Sequence, residues 1–256
     1  MEMRVLWLLL FAGSMAQEDM DRNVFLFPGK TSADYVILTP VVIQPLNKLT
    51  VCLRSYTEGG KFALLSVGTP ESYINNIFSI AQDVIGGFTP QYYNSNIAIN
   101  GLLVSIRTNT NVLDWTHRCV TWDSNTGVLQ LWVNGKVSPR TVLQKGSSID
   151  LKDGISLGHI LANSGFGRNQ MSSNIRKEVS SGYSFQGEIT DVHMWNEVLS
   201  PETIRKVLLN NRYVNGNVIS WRSLNYTLNG DVIVQPKLQC RYGSESGSSY
   251  SQCSME

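Results

Sequence analysis

An all-β fold, a two-sheet antiparallel sandwich with one short helix, is predicted by three features of the chain. From Asn23 to about Leu238, short runs rich in Val, Ile, Leu, Phe, Tyr and Thr are separated by turn clusters such as Glu58-Gly59-Gly60 and Asn125-Thr126-Gly127. That spacing is the pattern of a β-sandwich. Between His117 and Val133 the chain alternates through Arg118-Cys119-Val120-Thr121-Trp122, turns at Asp123–Gly127 and returns as Val128-Leu129-Gln130-Leu131-Trp132-Val133. Asn134-Gly135 then suits a type I′ hairpin turn. A single segment reads as a helix: Ser200 suits the N-cap, Pro201 the first helical position, and Ile204, Val207 and Leu208 make one apolar face before Asn210-Asn211.

At the start of the chain, Arg4 precedes the apolar run Val5–Ala12, and Ser14-Met15-Ala16 supplies small residues for a signal peptidase. Residues 1–16 are therefore expected to be a signal peptide, with the mature chain beginning at Gln17. Residues 17–239 read as one domain, since neither a repeat nor a linker interrupts them. A Gly/Ser-rich tail over 240–256 carries Cys240 and Cys253 and reads as a flexible extension.

With 21 Lys+Arg against 20 Asp+Glu among 256 residues, the net charge is +1, which excludes long-range steering of a nucleic acid. A hydrophobic content of 42%, without a long apolar run beyond the first dozen positions, argues against both disorder and a membrane span. An oxidising destination makes the four cysteines structural. Three pairings are possible. Cys52 and Cys119 lie in strand-like sequence and Cys240 and Cys253 flank the tail, so like is paired with like, with an interchain link through the tail as the alternative. Asn225-Tyr226-Thr227 is a glycosylation sequon.

Catalytic patterns are thin. Gly154-Ile155-Ser156-Leu157-Gly158 fits a hydrolase nucleophile elbow, but no helical pattern follows it. His117, His159 and His193 are isolated, without the spacing of a zinc site. Glu188 and Asp191, the nearest candidates for a glycosidase carboxylate pair, are three apart and on a regular strand point to opposite faces. The chain is read as a binding protein and not an enzyme.

His117-Arg118-Cys119-Val120-Thr121-Trp122-Asp123-Ser124 matches the pattern His-x-Cys-x-Ser/Thr-Trp-x-Ser/Thr, fixed at His117, Cys119, Thr121, Trp122 and Ser124. The chain thereby resembles the pentraxin family. It is similar to short pentraxins also at Gln17–Arg22, Phe25-Leu26-Phe27-Pro28, Thr50–Thr57, Met194–Pro201, Trp221–Tyr226 and Gln235–Leu238. The resemblance implies a flattened, lectin-like jelly roll with one helix, a disulfide between Cys52 and Cys119, and a cyclic, usually pentameric homo-oligomer. It further implies calcium on one face, presenting phosphocholine-bearing surfaces of microbes and damaged cells, and an opposite, helix-bearing face that meets complement and Fc receptors.

The chain departs from the family where calcium is held. The family's Leu-Gly-Gln-Glu-Gln-Asp is replaced by Leu157-Gly158-His159-Ile160-Leu161-Ala162-Asn163, and its Asp-Asn falls within Glu71-Ser72-Tyr73-Ile74-Asn75-Asn76. Glu71, Asn75, Asn163 and Glu178 are the remaining calcium candidates, and Phe78 aligns with the apolar wall for the choline methyls. Calcium needs six to eight oxygens, with carboxylates supplying the charge, so weak or absent calcium binding is expected. The longer loop from Asn163 to Tyr183, with Arg168, Arg176 and Lys177, suits phosphate or sulfate directly. The expected function is that of a secreted, extracellular pattern-recognition pentraxin, binding phosphocholine-type or other anionic or glycan surfaces multivalently. The alternative is a disulfide-linked matrix pentraxin without a small ligand.

Overall fold

The computed structural model describes residues 17–67, 78–85, 92–109, 114–152, 154–160, 183–245 and 248–255, with backbone alone for 238–255. In chain order the strands are β1 (Asn23–Phe27), β2 (Tyr35–Leu38), β3 (Lys48–Tyr56), β4 (Phe62–Val67), β5 (Phe78–Ile85), β6 (Tyr92–Ile99), β7 (Leu102–Thr108), β8 (Thr116–Asp123) and β9 (Val128–Val133). Then come β10 (Lys136–Val137), β11 (Thr141–Val142), β12 (Ile155–Leu157), β13 (Gly187–Trp195), helix α1 (Pro201–Leu208), β14 (Tyr226–Asn229), β15 (Ile233–Pro236), β16 (Leu238–Glu245) and β17 (Ser248–Met255). One sheet runs β10-β9-β8-β3-β13-β1-β15, with β11 also on β9, and a second runs β14-β2-β12-β4-β5-β6-β7. All pairs are antiparallel.

The two large sheets enclose one apolar core. Phe25, Phe27, Leu49, Val51, Val120 and Trp122 come from the first sheet, and Val36, Leu38, Phe78, Ile80, Ile97 and Leu157 from the second. Alternation along each strand sends these residues inward and the intervening ones outward. A polar cluster interrupts the inward face: Arg118, Ser55 and Gln82 are all buried, with Arg118 Nη1 donating to Ser55 Oγ at 2.9 Å and Nη2 to Gln82 Oε1 at 2.5 Å. Burial pulls the Arg118 pKa down to about 10.

Local sequence explains the turns. Asn134 and Gly135 both take positive φ, 47° and 80°, as a type I′ turn requires, and hand β9 to β10. At Gly158 (φ 79°) a Cβ would lie 2.4 Å from the Phe27 ring, so both conformation and contact demand glycine. Helix α1 begins as the sequence predicts: the Ser200 side chain accepts from the Thr203 N–H and Pro201 opens the helix. Ile204 and Val207 are buried against Trp195, Leu199 and the Cys52–Cys119 disulfide on the outer side of the first sheet.

Two expectations are corrected by register. In β13 a bulge between Thr190 and His193 places Asp191 at φ 53°. The extra residue turns Asp191 to the outer side, away from the core residues Ile189 and Val192, so Glu188 and Asp191 share a face instead of opposing each other. The tail is a hairpin and not a structureless extension: β16 and β17 pair from Leu238↔Met255 to Glu245↔Ser248, taking in Leu238 and Gln239 ahead of the expected boundary.

Candidate ligand-binding face

The outer side of the seven-stranded sheet has a floor of small side chains. Ser156 lies opposite Ser66, Ser66 opposite Ser79, and Ala63 opposite Ala81. The Ser66 and Ser156 hydroxyls are 2.8 Å apart, and Ser66 also donates to the His159 carbonyl at 3.2 Å. Ser156 is therefore a bonded residue inside a strand, not an exposed nucleophile. Ile160 and Tyr183 pack over Ala63 and Ala81, all four buried. At the edge of this floor one oxygen of Asp83, Oδ2, accepts from Asn96 Nδ2 at 2.6 Å and from the Tyr183 hydroxyl at 2.7 Å. Lys61 Nζ stands 4.2 Å over the Tyr183 ring. Burial, together with the bond to Asp83 and its charge, pushes the Tyr183 phenol well above its ordinary range, so it acts as a fixed neutral donor.

The predicted site residues distribute unevenly over this frame. Glu71, Asn75, Asn163 and Glu178 lie outside the described residues. Phe78 does not reach the ligand face: it is 0% exposed and sits in the inter-sheet core, because alternation along β5 turns Ser79 and Ala81 outward. Ile160, at the position of the family's glutamate, is 2% exposed and packs on the alanines as an apolar plug. Asn225 is half-buried just before β14, its carbonyl accepting from the Thr39 N–H. Asp83, Asn96 and Tyr183 were missed by sequence reasoning. The i, i+2 spacing of Ala81 and Asp83, which puts both on one face, was the available signal.

The signature residues serve the fold. Trp122 Nε1 donates to the Leu143 carbonyl at 2.8 Å, and Ser124 Oγ donates to the Ser147 carbonyl. Cys119 bonds Cys52 directly across β8 and β3. Thr121 is buried at 4% exposure on the same strand. His117 Nε2 lies 3.5 Å from Cys119 Sγ, and Cys52, His117 and Cys119 form the one His/Cys/carboxylate cluster of metal-holding proximity among the described residues. Its two sulfurs are spent on each other, so this geometry offers no thiolate to a metal.

Two neutral histidines and an ionic cluster complete the helix-bearing side. Burial, reinforced by Arg54, lowers His117 to about 3. Burial likewise lowers His193 to about 4, and its Nδ1 accepts from the Gly216 and Trp221 N–H groups at 3.3 Å each. Asp191 Oδ2 receives Arg54 Nε and Lys237 Nζ, each at 2.8 Å. Burial raises the Asp191 carboxyl, but Lys237, through charge and hydrogen bond, and then Arg54 outweigh it and hold the group below its usual value. Glu188 is raised by burial, partly offset by Lys237. Asp191 is thus committed to two cations, and the pair lacks the free carboxylates a glycosidase uses. A cleft of about 470 Å³ borders Glu188, with Lys30, Tyr56, Glu58 and Gln186, away from the small-residue floor.

Comparisons with known proteins agree with this architecture. The Pentaxin family model matches residues 23–236. The chain is 43% identical over 242 residues to C-reactive protein of Xenopus laevis, covering 94% of each. It is 34% identical over 230 residues to serum amyloid P-component of Cavia porcellus, covering 90% of this chain and 94% of that one. Among solved structures, the native heptameric SAP-like pentraxin from Limulus polyphemus superposes with a TM-score of 0.67 at 21% identity, covering 85% of this chain and 96% of that one, which shows the shared jelly-roll fold. The two large sheets, helix α1, the Cys52–Cys119 bridge and the family match across both sheets lead to one conclusion: the chain belongs to the pentraxin family, in its C-reactive-protein and serum-amyloid-P-like group.

Proposed function

We propose that the chain is a secreted pattern-recognition pentraxin that binds phosphocholine-type or other anionic surface ligands through the outer side of its seven-stranded sheet, with little dependence on calcium. The observation that carries the calcium part of this reading is Ile160, buried against Ala63, Ala81 and Tyr183 where the family's acidic cluster would begin. An apolar plug contributes no oxygen to a cation that needs six to eight. Glu71, Asn75, Asn163 and Glu178 are the remaining oxygen donors under this reading, and Arg168, Arg176 and Lys177 are the cations that meet a phosphate or sulfate. Cyclic assembly, for which the Limulus neighbour's heptamer is the precedent, combines several weak contacts into avidity. Among the described residues no helix is long and apolar enough to cross a membrane.

The test is retention of the purified mature chain on phosphocholine resin, and on a sulfated-glycan resin, in calcium and in EDTA, with calcium calorimetry alongside. Retention that EDTA leaves unchanged, and that Arg176→Glu/Lys177→Glu weakens at least tenfold, is the expected result. Tight stoichiometric calcium binding, or capture that EDTA fully reverses, refutes calcium independence. Absence of capture on both resins refutes the ligand class.

A further inference from the structure

The C-terminal hairpin places its two cysteines in direct register. β16 and β17 pair antiparallel with Cys240 opposite Cys253, two steps in from the Leu238↔Met255 pair at the root. Directly opposed residues of an antiparallel pair have Cα atoms about 4.5–5.5 Å apart. That range lies within the roughly 4.4–6.8 Å a disulfide spans.

Face assignment points the same way. Side chains alternate along a strand, and directly opposed residues share a face. Leu238, Cys240, Tyr242, Ser244, Ser249, Ser251, Cys253 and Met255 therefore belong to one face, and Gln239, Arg241, Gly243, Glu245, Ser248, Tyr250, Gln252 and Ser254 to the other. The cysteines thus share one face and follow directly on the apolar Leu238↔Met255 pair at the root. That root is also fixed: the Lys237 N–H donates to the Arg22 carbonyl at 2.7 Å, and Lys237 Nζ is held by Asp191.

A two-stranded sheet that joins neither large sheet is marginal by itself, and small elements of this kind rely on a staple. We propose that Cys240 and Cys253 of the same chain form a second disulfide that closes this hairpin. The subunits of the assembly are then held without covalent links through their tails. The step oxidises two thiols to one S–S bond. Two electrons and two protons pass to an external disulfide, which is reduced to two thiols by exchange. This inference rests on strand register and is independent of the proposed ligand.

The experiment uses the full mature chain, purified without reductant and treated with N-ethylmaleimide before denaturation. Non-reducing electrophoresis and peptide mass mapping follow. The expected result is a monomer band and a linked peptide pair containing Cys240 and Cys253, two hydrogens lighter than its reduced parts, with neither cysteine alkylated. Cys240→Ser should leave Cys253 alkylatable in nearly all molecules and should leave the Cys52–Cys119 peptide pair unchanged. Alkylation of Cys240 or Cys253 in the parent chain overturns the proposal. A reducible dimer joined through the tails, or a peptide linking either tail cysteine to Cys52 or Cys119, overturns it equally.

Discussion

On acidification from pH 7.5 to 5, two buried histidines together should take about 4 kcal/mol from the stability of this domain, partly offset by Glu188, whose carboxyl is raised in the fold. His117 and His193 are 1% and 4% exposed, with pKa values lowered to about 3 and about 4. In the unfolded chain each returns to about 6.5. Between those values the unfolded state binds protons that the folded state does not, so stability falls as pH falls below about 6.5. At pH 5 each histidine is about 1.5 units below its unfolded pKa and contributes a loss of about 2 kcal/mol. The surroundings favour neutrality at His117, where Arg54, Arg118 and His193 oppose a second charge and Asp191 alone invites one. At His193, Arg222 opposes a charge while Asp191 and Asp21 invite it, and burial prevails. Urea titrations followed by tryptophan fluorescence should show the midpoint falling by roughly 1–2 M between pH 7.5 and 5, taking a slope of about 2–3 kcal/mol per molar. His117→Asn and His193→Asn should each remove about half of that pH dependence, whatever they do to absolute stability at pH 7.5. A flat profile over this interval, or a double variant that keeps the full pH dependence, would refute the assignment of buried neutral histidines.

Replacing Cys52 and Cys119 together by alanine opens a loop with a sequence separation of 67 and should cost about 4 kcal/mol. That loss corresponds to roughly 8–16 °C in Tm by calorimetry, and a shift under 3 °C would show that the bridge does not constrain the unfolded chain. Asp191→Asn leaves Arg54 and Lys237 facing each other without their carboxylate and should destabilise by about 3–5 kcal/mol in urea at pH 7.5. An effect below 1 kcal/mol would mean that both cations find water. Arg118→Met with Gln82→Leu and Ser55→Ala removes a buried cation together with both its acceptors and should leave stability unchanged or raise it by about 1–4 kcal/mol. A loss above 2 kcal/mol would show that the cluster specifies the packing.

The parts of the fold that were legible in the sequence are those fixed by short-range chemistry. Ser200 and Pro201 mark the start of α1, and Asn134-Gly135 marks its turn, because a cap hydroxyl and a positive φ are properties of one or two residues. The bulge at Asp191 was not legible, since one extra residue in a strand leaves hydrophobic alternation nearly intact while reversing the face of a single side chain. Phe78 shows the same limit from the other side: alignment to a ligand wall says which strand it occupies, but register decides which way it faces. The tail's Ser and Gly content suggested flexibility, and its pairing was hidden because strand register depends on two segments read together. Of the ligand face, Ile160 in place of an acid was visible in the sequence. The Asp83–Asn96–Tyr183 cluster was not, because it joins residues from three separate segments of the chain.

Arg54 gives Nη2 to the Leu208 carbonyl in the last turn of α1 and Nε to Asp191, and the same Asp191 oxygen holds Lys237 at the root of the tail. A single carboxylate oxygen therefore lies at the junction of three structures far apart in sequence: the helix end, the bulged strand and the C-terminal segment. Such a junction makes them one cooperative unit of local opening. The helix cannot lift from the disulfide while Arg54 stays bonded at both ends, nor can the tail detach at its root without leaving Asp191 one cation short. Amide exchange at Leu209 and at Lys237, whose N–H groups bond to the Arg205 and Arg22 carbonyls, would then report the same opening event from opposite ends of that junction.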